Sequence, residues 1–378
     1  MKKILLTLML GLAILVSCGN DNEETGTTQK KTETVEHIDS DYTYELPVIF
    51  HVLYSNQSDP KQYIPYQRLA NLLQYVNQIY EGGVYGESKN VHVRFVLATK
   101  DESGKTLRYP GVEYMHYTGE YPIDVNQFMS DNSGDNVKYI WEPNDYINVM
   151  MFNFKQSNAS ETTLGISHMP YTHEGSHKLE GLETIAQDRL TKSNLRYAYC
   201  SAINSLYANQ ADDGGYYQSD RYTRPDHQPT TLSSADIVVT MAHELGHYLG
   251  LYHAFTESKN AGSVEPVDSC GDTDYCTDTY SYNRHEYIEY LSGLSASDLF
   301  NANLLLARNS CDGVRFNSEN IMDYSLTLGF QITREQKQRI RNVLYYSPLI
   351  PGPKMDATSS TRASIVKGPI NLKITTIK

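Results

Sequence analysis

Hydrophobic and polar residues follow one another along the chain in patterns that predict a layered fold. Runs of apolar, β-branched residues predict strands at 46–54, 91–99 and 146–154, the first of them buried. Apolar residues at helical spacing over 66–83, closing on a Gly-Gly pair, predict a helix. The order strand, helix, strand, strand is typical of an α/β fold, in which helices cover a sheet.

The second half of the chain has fewer regular patterns. Residues 209–232 are rich in Asp, Gly, Pro and Tyr, which predicts a long loop. After residue 255 the patterns become sparse again, apart from a clear helical segment at 333–345. In the tail, the apolar residues of 370–374 alternate with polar ones, which predicts an edge strand.

One helix in this half has a well-marked beginning and an apolar stripe. Ser233-x-x-Asp236 resembles a capping box, which places the start of the helix at Ser233. The residues expected to form its buried stripe are Ile237, Val238, Val239, Met241, Leu245 and Leu249.

This helix carries a cluster of metal-binding side chains. The sequence MAHELGHYLGLYHAF, at 241–255, holds three histidines and one glutamate. His243 and His247 are four residues apart, so both project from one helical face, about 6 Å apart along the axis. That spacing suits two imidazole ligands of one Zn²⁺ ion, and Glu244 lies close enough to reach a water on that ion.

Gly250 explains how a third histidine can join them. On a straight helix His253 would lie about 15 Å along the axis from His243 and about 80° round it. Glycine tolerates the left-handed conformation that ends a helix, so we expect the chain to turn back and bring His253 to the same ion. Three protein ligands leave a fourth position for water, which is typical of a catalytic zinc site.

A second H-E-x-x-H sequence shows that the five-residue motif alone is a weak signal. HEGSH, at 173–177, has a Gly-Ser interior and lies between Pro170 and Gly181, with no apolar stripe and no third histidine. We therefore predict that His173 and His177 are solvated loop residues.

The pattern H-E-x-x-H-x-x-G-x-x-H at 243–253 resembles that of the metzincin zinc proteases. The later sequence NIMDY, at 320–324, resembles their methionine turn and supplies Met322 and Tyr324. Taken together, the two motifs look most like those of the pappalysin family. The resemblance extends over roughly residues 45–346, but only these two motifs are specific.

The resemblance implies a fold and a reaction. The fold is an α/β (α+β), metzincin-type zincin with a twisted mixed sheet, two long helices above the cleft and an irregular C-terminal subdomain below it. The activity is that of a zinc-dependent endopeptidase, which hydrolyses a protein or peptide substrate with a zinc-bound water and with Glu244 as general base. By the same resemblance, the Tyr324 hydroxyl stabilises the tetrahedral intermediate and Met322 packs beneath the three histidine ligands.

Four aspartates downstream suggest a second cation. Asp268, Asp272, Asp274 and Asp278 lie in a segment that contains glycine, and crowded carboxylates in such loops can bind Ca²⁺. Some pappalysins bind calcium in this region. The simpler interpretation is a solvated acidic loop, so both interpretations stay open.

The N-terminus predicts export and a lipid anchor. Lys2 and Lys3 precede an apolar run at 4–16 that is too short to span a membrane. The run ends in LVSC, which resembles the lipobox of bacterial lipoproteins and implies cleavage before Cys18 and lipid attachment there. The protein is therefore predicted to lie in the bacterial cell envelope, lipid-anchored to the outer membrane and surface-exposed.

The other cysteines fit an exported protein. Four remain, namely Cys200, Cys270, Cys276 and Cys311. An even number in an exported chain predicts two disulfides, with three possible pairings. A structural zinc held by all four thiolates is the alternative, but the paired C-x-x-C spacing is missing.

The composition limits the possible partners. The chain is 40% hydrophobic and 20% charged, as expected of a globular protein. Loss of the two N-terminal lysines with the signal peptide would change the formal net charge from −13 to −15. Such an acidic protein is not expected to bind nucleic acid.

The sequence thus predicts a signal peptide, a tether, a catalytic domain and a tail. Their bounds are 1–17 for the lipoprotein signal peptide, 18–44 for an acidic flexible tether, 45–350 for the catalytic domain, with an upper subdomain 45–250 and a lower subdomain 251–350, and 351–378 for the tail.

Two other functions stay open. A surface lipoprotein with a structural zinc could bind peptides or glycans through some of its 31 tyrosines. A hydrolase could also act on a non-protein amide. The presence of Glu244 argues against the binding protein, because a purely structural zinc site needs no general base.

Overall fold

The computed structural model describes residues 40–156, 162–175, 177–211, 214–230, 232–258, 266–324, 326–355 and 366–378. The predicted signal peptide, Cys18 and the predicted tether up to residue 39 lie outside these residues. In the part of the chain that is described, no helix is both long enough and apolar enough to cross a membrane.

Strands β1 to β11 are, in chain order, Tyr44–Tyr54, Val93–Leu97, Val112–His116, Ile147–Phe152, Gly165–His168, Thr172–His173, Thr184–Ile185, Ser201–Asn204, Ala307–Asn309, Arg315–Asn317 and Thr376–Ile377. Helices α1 to α6 are Tyr66–Glu81, Val125–Ser130, Ile237–Tyr248, Arg284–Ser292, Ala302–Leu306 and Arg334–Tyr346.

A seven-stranded sheet forms the centre of the fold. Its order is β11-β5-β8-β4-β1-β2, and β3 also pairs with β1. The first half of the long strand β1 pairs with β2 and its second half with β3, both in parallel. β4 and β8 continue the parallel part, whereas β5 is antiparallel to β8 and β11 to β5. The predicted α/β fold with a mixed sheet is confirmed.

Helices α1 and α3 pack against each other and against this sheet. α1 contacts β2, and α3 contacts β5 and β8. The Tyr80 hydroxyl of α1 donates a hydrogen bond to the Ala242 carbonyl of α3 over 3.0 Å. All 12 residues of α3 are buried, so its buried surface goes all round the helix and is wider than the predicted apolar stripe.

The segments that follow α3 are mostly short. β9 and β10 form a two-stranded antiparallel sheet, and β6 and β7 form a parallel one. The predicted helix at 333–345 is confirmed as α6. It begins with a capping box, in which Thr333 and Gln336 each accept a hydrogen bond from the backbone N–H of the other.

The predicted start of α3 at Ser233 is wrong. The N-cap residue is Asp236, whose Oδ1 accepts hydrogen bonds from Val238 N at 2.9 Å and Val239 N at 3.3 Å. The Ser233 hydroxyl instead accepts from the Ala235 N–H before the helix begins. A carboxylate next to the first turn is the stronger cap because it satisfies two free N–H groups.

The predicted edge strand at 370–374 lies a few residues further along, at β11. Ile370 N donates to the Asn194 carbonyl over 3.1 Å, which is a loop contact and not part of a strand ladder. Ile370, Leu372 and Ile374 pack against the main core while partly buried, which accounts for the alternation in the sequence.

The prediction of two disulfides is wrong. One disulfide joins Cys270 to Cys311, whereas Cys200 and Cys276 are free and buried. Cys200 directly precedes strand β8 and belongs to the main hydrophobic core, with its sulfur 3.7 Å from Met129 Sδ, so it packs as a small apolar side chain. Burial also raises the pKa of the Cys200 thiol, which disfavours the thiolate needed for exchange. The disulfide also excludes the alternative, a structural zinc held by all four thiolates, because Cys270 and Cys311 are bonded to each other.

Candidate metal centre

His253 can approach His243 and His247 because α3 ends in a tight turn. Gly250 has a φ of +93°, in the left-handed region. Gly250 N donates to His247 O and Leu251 N donates to Gly246 O, each over 2.9 Å, which is the hydrogen-bond pair of a Schellman motif. The chain therefore reverses directly after the helix, as predicted.

The reversal brings three imidazoles together. The Nε2 atom of His247 lies 3.0 Å from that of His243 and 3.1 Å from that of His253, and the third side of this triangle is 3.2 Å. In the described part of the chain, this is the one group of three or more histidine, cysteine or acidic side chains whose ligand atoms converge.

Each imidazole is oriented through its other nitrogen. His243 Nδ1 lies 2.7 Å from the Ile321 carbonyl, and His247 Nδ1 lies 2.7 Å from the Leu251 carbonyl. A carbonyl oxygen only accepts, so both Nδ1 atoms must carry the proton. The Nε2 lone pairs of the neutral rings then face one another, an arrangement that a cation between them would stabilise.

The protonation states agree with this arrangement. Burial and the neighbouring His253 lower the pKa of His243 to about 3. Burial, with His243 and His253 beside it, also lowers the pKa of His247 well below its usual range. Neutral imidazole is the form that binds a metal.

The triangle has the size that a tetrahedral zinc site requires. Zinc–nitrogen bonds of about 2.0–2.1 Å place neighbouring ligand atoms of a tetrahedron about 3.3–3.4 Å apart. The nitrogen–nitrogen distances of 3.0–3.2 Å are close to this value. The residues present therefore fit Zn²⁺.

Glu244 is buried beside the triad. Its Oε2 atom has no hydrogen-bond partner in the described residues, and burial raises the pKa of its carboxyl group well above the usual range. Strand β5 lies directly against it: a Cβ atom added to Gly165 would be 2.5 Å from both Cγ and Oε1 of Glu244. Only glycine therefore fits at the start of β5.

Residues 320–324, the predicted methionine turn, lie next to the helix and the segment that carry the three histidines. Met322 is fully buried, and a Cβ atom on Gly246 would lie 2.6 Å from its sulfur. The Met322 carbonyl accepts from Ala254 N over 3.0 Å, which fixes the chain just after His253. The Tyr324 ring lies 4.3 Å from the His253 ring between centroids, so this tyrosine also belongs to the site.

Some supporting residues were not predicted. Glu257 Oε1 lies 2.7 Å from His253 Nδ1, and Arg339 of α6 donates to the Gly250 carbonyl over 2.6 Å. A carboxylate four residues after His253 is a signal that could have revealed Glu257. An isolated glycine in a strand signals close backbone approach and could have revealed Gly165. No local signal connects Arg339 to a turn 89 residues away.

The second motif does not form a metal site. His173 belongs to β6, and His177 is exposed. His173 is half-buried, so the prediction of a solvated loop is correct for His177 and wrong for His173. Pairing of Thr172 and His173 with β7 accounts for the difference.

The four aspartates give no support for a calcium site. They do not form a convergent group in the described residues. Asp268 accepts from the Asn283 side chain, and Asp278 accepts from Glu335 N at the start of α6. Asp272 accepts from backbone N–H groups of its own turn, and Asp274 accepts from the Thr279 hydroxyl.

Residues 201–345 match the family model Peptidase_M43, described as pregnancy-associated plasma protein-A. The chain is similar to mature mirolysin from Tannerella forsythia in complex with a cleaved peptide, at 18% identity over 79% of this chain and 90% of that chain, with a TM-score of 0.47. It is also similar to a promirolysin mutant from the same organism, at 18% identity over 80% of this chain and 81% of that chain, with a TM-score of 0.44. No curated protein matches the chain. The region matched by the family model contains all three histidines, Glu244 and the methionine turn.

Proposed function

We propose that this chain, a metalloendopeptidase whose residues 201–345 match the peptidase M43 (pappalysin) family, holds one Zn²⁺ ion with His243, His247 and His253. The observation that carries the proposal is the convergence of three Nε2 atoms within 3.2 Å of one another beside a buried glutamate. The substrate is a protein or peptide.

When bound, zinc would supply a Lewis acid that polarises the scissile carbonyl and lowers the pKa of water. Glu244 would accept a proton from the attacking water and later deliver it to the leaving amine. Its burial next to Gly165 keeps the carboxyl group away from bulk water and in a fixed position. Tyr324, beside the His253 ring, would donate a hydrogen bond to the oxygen that becomes negative.

The test is digestion of casein by the purified protein, with metal analysis of the same sample. We expect activity to disappear with a zinc chelator and to return when Zn²⁺ is added back. Glu244→Ala should retain zinc and lose activity by about 10²–10⁴-fold, the range for a lost general base. Glu174→Ala, in the second motif, is the matched control and should be fully active.

Equal activity of the wild type and Glu244→Ala, with and without the chelator, would overturn the peptidase mechanism. Bound zinc without hydrolysis of any peptide by the wild type would instead favour the binding lipoprotein.

We also propose that the protein is exported and lipid-anchored through Cys18 at the outer membrane surface. Support comes from the lipobox-like LVSC sequence and from the Cys270–Cys311 disulfide, because disulfides persist in oxidising compartments. Wild-type protein in cells should incorporate labelled palmitate and partition into detergent, whereas Cys18→Ala should do neither. Equal labelling of the two proteins would exclude this anchor.

A further inference from the structure

The tail crosses the outer edge of β5, the strand that lies against Glu244. β11 pairs with β5 in antiparallel register, with Thr376 opposite His168 and Ile377 opposite Ser167. Met169 N also donates to the Thr375 carbonyl over 2.9 Å. This edge of the sheet is therefore occupied by the chain itself as far as Ser167.

Buried groups fasten the tail in this position. The side-chain amide of Asn194 donates to the carbonyls of Val366 and Gly368, over 2.8 and 2.9 Å. The Tyr171 hydroxyl donates to the Lys373 carbonyl over 3.1 Å. Asn194 is 1% exposed and Tyr171 2% exposed, so the tail is held by side chains that are buried in the protein interior.

The direction of β11 decides which part of a bound substrate it would displace. β11 runs antiparallel to β5, so it approaches Gly165, and with it Glu244, with its C-terminal end first. An extended peptide that paired with the same edge in the same direction would place the residues before its scissile bond where β11 now lies. The tail and that part of a substrate would compete for the same backbone groups.

We propose that residues 366–377 determine specificity by occupying the strand edge that would bind the N-terminal side of a substrate. The edge of β5 at Ser167 and Met169 is then closed to a substrate, so the enzyme should favour substrates with few residues before the cut. This inference rests on the proposed peptidase function.

Two proline variants test the role of β11. The ladder bond of Met169 N to Thr375 implies that Ile377 N also faces β5, whereas Thr376 N faces away, because bonded and non-bonded pairs alternate in antiparallel strands. Ile377→Pro should therefore release the end of the tail, and Thr376→Pro is the matched control, since it removes no ladder bond. Hydrogen exchange at Ser167 and Met169 reports whether the edge is freed.

The assay compares two peptides that share one cleaved bond, first located by mass spectrometry of a casein digest. One has two residues before that bond and the other has six. We expect the wild type to prefer the short peptide. Ile377→Pro should raise kcat/KM for the long peptide about tenfold, because the competing tail strand β11 loses one or two hydrogen bonds to β5. The value of kcat/KM for the short peptide should not change.

The outcomes separate this inference from the proposed function. If no protein cleaves casein, the peptidase function itself fails. A wild type that cleaves both peptides equally well would overturn the role of the tail, whatever the variants do. A wild-type preference that persists in Ile377→Pro, although Ser167 and Met169 exchange faster, would overturn it as well.

Discussion

The chain contains H-E-x-x-H twice, at 243–247 and 173–177, and the two copies have different structures. The first lies on α3, where residues four apart share a face, and its histidine Nε2 atoms are 3.0 Å apart. In the second, β6 ends at His173 and Gly175 has a φ of +126°, so the two histidines do not share a helical face. The motif acquires a metal geometry only where the backbone is helical.

The surroundings of the two motifs differ as much as the backbones. His173 Nε2 lies 3.1 Å from Asp188 Oδ1, while the His177 ring stacks on Tyr346 with centroids 3.9 Å apart. Each of these histidines therefore has its own partner. In the first motif the backbone carbonyls of Ile321 and Leu251 hold the rings so that their free nitrogens point to one place.

The largest expected effect comes from removing a histidine of the first motif, and removal of a histidine of the second motif is its control. His247→Ala removes one corner of the metal triangle, so we expect zinc content to fall from one ion per chain to almost none. Peptidase activity should fall by about 10³-fold or more, because a metal supplies several kcal/mol of transition-state stabilisation. His177→Ala should bind zinc and cleave peptides normally. Metal analysis and peptide hydrolysis measure both, and normal zinc binding by His247→Ala would contradict the site.

Much of this contrast could be predicted from the sequence, because it depends on local periodicity. The strand at 46–54, the first helix and the turn at Gly250 follow from apolar spacing and from glycine's access to positive φ. The methionine turn was found through resemblance alone. The position of Gly165 against Glu244 depends on which strand packs beside α3, and local patterns do not contain that information.

The limits of local sequence patterns also explain two wrong predictions, the helix cap at Ser233 and the second disulfide. The helix cap was misplaced because Ser233 and Asp236 are both good capping residues, and tertiary contacts decided between them. The number of disulfides was overestimated because counting cysteines says nothing about burial, and Cys200 belongs to the main hydrophobic core.

A glycine substitution just after the first motif, compared with one inside the second, should give the next largest effect. In Gly250→Ala the positive φ costs about 1–2 kcal/mol, and the new Cβ would lie 2.7 Å from Val343 Cγ2, which adds a further cost of about 1–3 kcal/mol from overpacking. The turn should shift and weaken zinc binding through His253.

Gly175→Ala is the control for backbone strain alone. Gly175 also has a positive φ, but nothing lies within 4 Å of an added Cβ. We expect some loss of stability and unchanged zinc affinity. Urea unfolding and zinc titration measure both quantities, and equal zinc affinities for the two glycine variants would show that the turn does not position His253.

The beginning of α3 provides a smaller test. Asp236→Ala removes the cap of Val238 N and Val239 N and the acceptor of Ser219 N, so we expect a loss of about 2 kcal/mol in the free energy of unfolding. Ser233→Ala should change it by less than about 0.5 kcal/mol, as expected away from a cap. Denaturant unfolding of the metal-free proteins decides which residue caps the helix, and the reverse order would restore the assignment to Ser233.

The smallest expected effect comes from changing the carboxylate that contacts a histidine at each motif, Glu257 beside His253 and Asp188 beside His173. Glu257 Oε1 lies 2.7 Å from His253 Nδ1, and an acceptor in this position orients a metal-binding ring and increases its basicity. Loss of such a partner lowers metal affinity by about 10–100-fold, and we expect about tenfold for Glu257→Gln, since that side chain is 21% exposed and water can replace part of the interaction. Asp188→Asn, which changes the carboxylate beside His173, should leave zinc affinity unchanged. Competition with a chromophoric chelator measures both affinities, and an unchanged value for Glu257→Gln would mean that packing, not hydrogen bonding, orients the third ligand.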